Sequence, residues 1–99
     1  MIYVIATITV QPGTRDKVLA SSGAFVAASK MENGCLAYDL HASTTDPVKF
    51  VFVEQWDSED ALAAHNASEH MKTFVGAVGS CLAAPPRIDV ITPQKVDTR

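Results

Sequence analysis

Basic charge is scarce in this chain. Eight Lys and Arg stand against eleven Asp and Glu, a net charge of −3. No basic run or arginine-rich segment occurs, which argues against a nucleic-acid partner. Long apolar runs are missing too. No stretch approaches the roughly 20 residues that span a bilayer. Met1 leads straight into a strand-like segment with no basic leader, so a cytoplasmic protein without a membrane partner is expected. The two cysteines, Cys35 and Cys81, lie far apart without metal-ligand spacing and read as reduced, inert thiols. The glycines make no GxGxxG and no phosphate-cradling loop, and no cysteine pair suits zinc or iron–sulfur. The sequence therefore points to no bound metal and no cofactor.

Apolar residues are plentiful. In 99 residues, 47% are hydrophobic, enough for one domain, expected over residues 1–93 with a polar tail at 94–99. Residues Ile2 to Val10 alternate with period two and are β-branched on both faces, which predicts a first strand. Gln11-Pro12-Gly13 is a turn, with Thr14 placed to cap a helix in which Val18, Ser22, Phe25, Val26 and Ser29 recur at helical spacing. Glu32-Asn33-Gly34 closes that helix, Gly34 suiting a left-handed position. Cys35 to Ala42 and Lys49 to Trp56 form an antiparallel pair, with Leu36, Tyr38, Leu40 and Ala42 on one side of the first. A helix in two pieces follows, capped at Asp57-Ser58 and again at Ser68. Its second piece buries Met71, Phe74, Val75, Val78 and Leu82 and is stopped by Pro85-Pro86. Arg87 to Thr92 is the last strand. The order βαββαβ is that of an α+β, ferredoxin-like fold with both helices on one sheet face. The other face, apolar as well, calls for a cover, most simply a second copy of the chain.

Chemistry concentrates between Phe50 and Met71. His65 is the candidate base, because an imidazole ordinarily titrates near neutrality and this one sits where strand and helix meet. A backbone-bonding role is the competing reading. Glu54 shares a strand face with Phe50, Phe52 and Trp56, where a carboxylate is costly unless partnered. It either orients His65 or anchors the sheet to the helix. Trp56 and Tyr38 are candidates to hold an aromatic ring, with Phe52, Met71 and Phe74 as apolar wall. His70 lies about 140° around a continuous helix from His65. The two rings can share a ligand only if the break at Asn66 to Ser68 realigns them.

The ordered set VIATITV, Pro12-Gly13, Glu32-x-Gly34-Cys35-Leu36-x-Tyr38, Asp46-Pro47, Val53-Glu54-Gln55-Trp56, Ala64-His65 and His70-Met71-Lys72 resembles the antibiotic biosynthesis monooxygenase family, most closely its quinol monooxygenase branch. The resemblance implies a dimeric α+β barrel with a small-molecule pocket in each subunit. It also implies oxidation of a small hydroxylated aromatic or quinol by molecular oxygen without flavin, haem or metal. In that setting His65 and Glu54 are the catalytic candidates, and Trp56, Tyr38, His70, Phe52, Met71 and Phe74 bind substrate. A haem-degrading branch uses Asn, Trp and His where this chain has Thr7, His65 and Val75, so haem breakdown is not expected. A branch that isomerises a phosphorylated signal shares His65 and His70. An isomerase or lyase working by proton transfer, or a binding protein without turnover, therefore stands beside the oxygenase reading.

Overall fold

A computed structural model describes residues Met1–Arg99. Strand β1 (Ile2–Thr9) leads to helix α1 (Arg15–Lys30), then strands β2 (Cys35–Ala42) and β3 (Lys49–Trp56). Helices α2 (Glu59–Asn66) and α3 (Glu69–Val78), a 3-10 turn (Gly79–Cys81) and strand β4 (Arg87–Ile91) complete the chain. The strands make one antiparallel sheet in the order β2-β3-β1-β4. This is the expected ferredoxin-like α+β fold. No helix is long and apolar enough to cross a membrane.

The alternation in β1 and β3 fixes the inside. Ile2, Val4, Ala6 and Ile8 pair with Trp56, Glu54, Phe52 and Phe50, and every one of them is buried. The apolar ones join Val18 and Phe25 of α1, Leu62 of α2, and Phe74 and Val78 of α3 in one core. Glu54 is the carboxylate set among them. No helix covers the opposite sheet face, where Ile5, Val53 and Ile91 remain 39%, 41% and 41% exposed.

Three local expectations change. Leu36 is exposed, because the β2–β3 register slips between Cys35 and Ala37. The extra residue of that bulge drops out of the ladder, so Tyr38 alone of its side is fully buried. Helix α3 ends at Val78, short of Leu82, and Val75 is exposed. The chain there is tied to the end of β1: Gln11 N donates to Cys81 O (2.7 Å) and Ala83 N to Thr9 O (2.8 Å). Those bonds pull it out of helical geometry. Thr14 caps nothing with its side chain; its hydroxyl donates back to Gln11 O (2.7 Å) and tightens the preceding turn.

One glycine and two serines position the site. Gly34 has φ +82°, and a Cβ there would lie 2.5 Å from Asp57 Oδ1 and 2.6 Å from Ala61 Cβ. The bare glycine lets the end of α1 press against the start of α2, and its carbonyl accepts from Asp57 N (2.9 Å). Ser58 caps α2 through Ala61 N (3.1 Å). Ser68 caps α3 through Met71 N (3.3 Å), and its hydroxyl donates to His65 O (2.7 Å). One serine thus ends one helix and begins the next.

Candidate active site

The break at Ser68 does what a continuous helix cannot. It turns His65 of α2 and His70 of α3 toward the same carboxylate, Glu32, in the turn after α1. Oε1 of Glu32 lies 2.8 Å from His65 Nδ1 and also contacts His70 Nε2. These are the donor atoms that could in principle share a cation, all within 4.8 Å of one another. Without a cation, the same carboxylate oxygen accepts from one nitrogen of each ring.

His65 is 1% exposed. Its ring lies against Trp56 (centroids 4.7 Å apart), Tyr38 (5.1 Å) and Phe25 (5.8 Å). With Nδ1 taken by Glu32, Nε2 is left as a buried atom without a partner. His65 also lines a cavity of about 440 Å³ between sheet and helices, with Val4, Ala6, Phe52, Met71, Phe74, Ile88 and Val90 among its walls. That size is ordinary for a small-molecule site. Tyr38, Glu54 and Asn66 are the other polar lining residues. An aromatic guest would meet carbon nearly everywhere, with the side chains of His65, Tyr38, Glu54 and Asn66 as its hydrogen-bonding groups.

Glu54 is 4% exposed and accepts a hydrogen bond from Trp56 Nε1 (2.9 Å). Burial pushes its carboxyl above the usual 4.5, against the opposing pull of the Trp56 bond, His65 and Tyr38. Tyr38 is raised as well, first by burial and then by the Glu54 charge, so its phenol stays protonated. Burial, helped by Glu32 and Glu54, also raises the Cys35 thiol, which keeps it a poor nucleophile.

The structure brings His65, Glu54, Tyr38, Phe52, Met71 and Phe74 to one cavity. Two expected contact residues stand elsewhere. Trp56 is fully buried behind Glu54 and off the cavity wall. Its indole holds the carboxylate, which is the donor bond a buried Trp needs. His70 faces a groove between α1 and α3, lined also by Ala24 and Thr73. The orienting carboxylate differs too: Glu32 holds His65 Nδ1, whereas Glu54 is engaged by Trp56. Glu32 is the residue missed. Its one sequence signal is a carboxylate two residues before Gly34, where α1 must turn back toward the histidines.

Comparison with known proteins agrees with this architecture. Residues 1–77 match the family described as antibiotic biosynthesis monooxygenase. A Bacillus subtilis protein named "Putative monooxygenase YcnE" is 34% identical over 91 residues, 92% of this chain and 94% of its own. The Escherichia coli protein named "Probable quinol monooxygenase YgiN" is 35% identical over 88 residues, 79% of this chain and 85% of its own. Among solved structures, one titled as an antibiotic biosynthesis monooxygenase superposes with a TM-score of 0.91 at 32% identity, over 96% of this chain and 100% of its own. Rv0793 of Mycobacterium tuberculosis gives 0.89 at 29% identity, over 98% of each chain. The sheet order, the cavity and the sequence match lead to one conclusion: the chain belongs to the antibiotic biosynthesis monooxygenase family.

Proposed function

We propose that this protein is a cofactor-independent monooxygenase that oxidises a small hydroxylated aromatic, or quinol, with molecular oxygen. The observation that carries the reading is the unpartnered, buried Nε2 of His65, a residue that lines an otherwise largely apolar cavity. A bare imidazole nitrogen facing a phenol is a base in position. Glu32 fixes the tautomer by accepting from Nδ1, leaving the Nε2 lone pair for the substrate.

The steps balance. His65 Nε2 takes the phenolic proton, and the O–H electron pair stays on the substrate as phenolate. The phenolate passes one electron to oxygen, giving an aryloxyl radical and superoxide, which join through a carbon–oxygen bond at a ring C–H. The resulting peroxide loses water, and that carbon becomes a carbonyl. The sum is one phenol plus one oxygen molecule giving one quinone plus one water. Phe52, Met71, Phe74 and the strand residues keep water from the radical pair. Protonated Tyr38 donates a hydrogen bond to a substrate oxygen. Glu54, whose carboxyl burial shifts toward its proton-bearing form, serves in this reading as the acid for the departing water. The free thiols of Cys35 and Cys81 support a reducing, cytoplasmic setting. The uncovered sheet face supports a homodimer.

Oxygen uptake tests the reading, using metal-free protein and a panel of quinols and polyhydroxylated aromatics beside a no-protein blank. Uptake above the blank is expected, falling by about 10²- to 10⁴-fold in His65→Ala, the usual weight of a positioned base. Substrate conversion that persists without oxygen would point instead to proton transfer alone, as in an isomerase. Uptake unchanged in His65→Ala would remove His65 from the mechanism.

A further inference from the structure

The cavity is not evenly lined. Its polar side chains gather over two neighbouring strands, where Tyr38 on β2 and Glu54 on β3 are cross-strand partners. His65 packs its ring on Tyr38 (centroids 5.1 Å apart), and Asn66 follows it on α2. From there the register runs outward in one row, Tyr38, Glu54, Val4 and Val90, across β2, β3, β1 and β4. Directly paired residues point to the same side of a sheet. Val90 beside Val4, and Ile88 beside Ala6, therefore face the helices. The first three members of the row are buried, but Val90 is 50% and Ile88 60% exposed. Val75 of α3, which lines the same cavity, is 55% exposed.

The cavity is thus closed over β2 and β3 and open over β4. The walls of this mouth, Val75, Leu82, Pro86, Ile88 and Val90, carry no polar side-chain atom. The charged residues of β4, Arg87 and Asp89, alternate to the opposite face, where they pair with each other (3.2 Å). Single exposed apolar side chains are ordinary, but a group of them rimming one cavity marks a binding surface.

We propose that the guest of this cavity is amphiphilic: a hydroxylated ring held over β2 and β3, with a hydrocarbon tail that crosses β1 and leaves between α3 and β4. The ring rests on the site being one for a hydroxylated aromatic; the tail rests on the open apolar mouth. A second ring bearing hydroxyls would leave them without partners along β1 and β4, and an unbonded buried hydroxyl is costly. A hydrocarbon chain meets no such cost and covers Val75, Ile88 and Val90. The cavity volume, about 440 Å³, also belongs to ligands larger than one ring. Beyond the ring two strand spacings remain, roughly 10 Å, which an extended chain of about eight carbons crosses. Ile88 and Val90 are in this way the residues that select for a tail.

Binding tests this without turnover. Under argon, isothermal calorimetry with para-alkylphenols bearing ethyl, butyl, hexyl and octyl chains measures affinity against chain length. Each added methylene should tighten binding about threefold, less than full burial gives because the outer walls are half open. The gain should level off near about eight carbons. Ile88→Ser combined with Val90→Ser should weaken the octyl compound about tenfold more than the ethyl one. Val75→Ser, on the facing helix, should act in the same direction and supplies a second reading on another element. All three positions are half exposed, so the fold tolerates the changes. Affinity that does not rise with chain length overturns the proposal. A rise that both variants leave intact does so too, because the tail would then leave elsewhere. Variants that change only the oligomeric state, followed by light scattering, would make the mouth a contact between copies and end the proposal. Oxygen uptake is read separately. Chain-length dependence without uptake would sink the monooxygenase and keep the tail channel, and uptake with a flat chain-length series would do the reverse.

Discussion

At the scale of single residues, the two carboxylates near His65 divide their work. Glu32 is a partly exposed acceptor shared by two rings, whereas Glu54 is a buried carboxyl held by one indole. Glu54 in the folded chain binds its proton more tightly than an unfolded carboxyl does. Linkage then makes its contribution fully present below the ordinary value of 4.5 and lost as pH rises through the folded value. Glu54→Gln removes the ionisation while keeping an oxygen for Trp56. Thermal melts should show the variant gaining on the native chain as pH rises from about 4.5 toward neutrality. A difference independent of pH would mean that Glu54 is not desolvated as described. The chemical identities of His65, Glu54 and Tyr38 were legible because each is a polar group set in an apolar alternating or helical pattern. Glu32 was not, because its neighbours in sequence are polar and ordinary. Its role arises from a chain reversal that brings it to residues 33 and 38 positions away.

At the scale of elements, the site depends on where helices stop. Ordinary helical geometry would send His65 and His70 to different sides, and Ser68 resets the phase between them. The cap residues were readable from sequence, since a serine before an acidic first turn has a physical signature. That the break aligns the two rings on one oxygen was not readable, because the angle between α2 and α3 is set by packing on Phe25 and the sheet. The same holds for Leu36, whose outward turn follows from a register slip that alternation alone does not reveal. Gly34 is the element-level hinge of the site: its positive φ and its closeness to Asp57 and Ala61 allow α1 to deliver Glu32. Gly34→Ala meets both strain at φ +82° and a clash at 2.5 Å. It should cost about 1–3 kcal/mol from backbone strain, with the clash adding to it. Denaturant melts check the cost, and NMR of the histidine rings should show His65 losing its bond to Glu32. A variant of native stability with unmoved rings would show that the close approach is not required.

At the scale of the whole molecule, both layers of helix lie on one side of the sheet, and the other side still carries Ile5, Val53 and Ile91 about two-fifths exposed. Register places Ile5 beside Val53 and Tyr3 beside Ile91, so these side chains adjoin across neighbouring strands and form a patch. A sheet face of this kind matches a copy of itself, because aligned sheets pack through interdigitating apolar rows. A two-fold pairing also places any substitution in the interface twice. Val53→Lys is the sharp test. Each copy forfeits roughly 2 kcal/mol of apolar burial before the cost of desolvating the ammonium is added. Two copies together should raise the dissociation constant by about a thousandfold. Light scattering across a dilution series should show a native dimer and a monomeric variant at the same micromolar concentration. The folded monomer should keep its near-ultraviolet signature from Trp56, since that ring lies on the opposite, helix-covered face. A native chain that is monomeric at all concentrations would show that this face does not pair, and a variant that pairs as well as the native chain would place the interface elsewhere. The patch would then remain an open surface of the molecule.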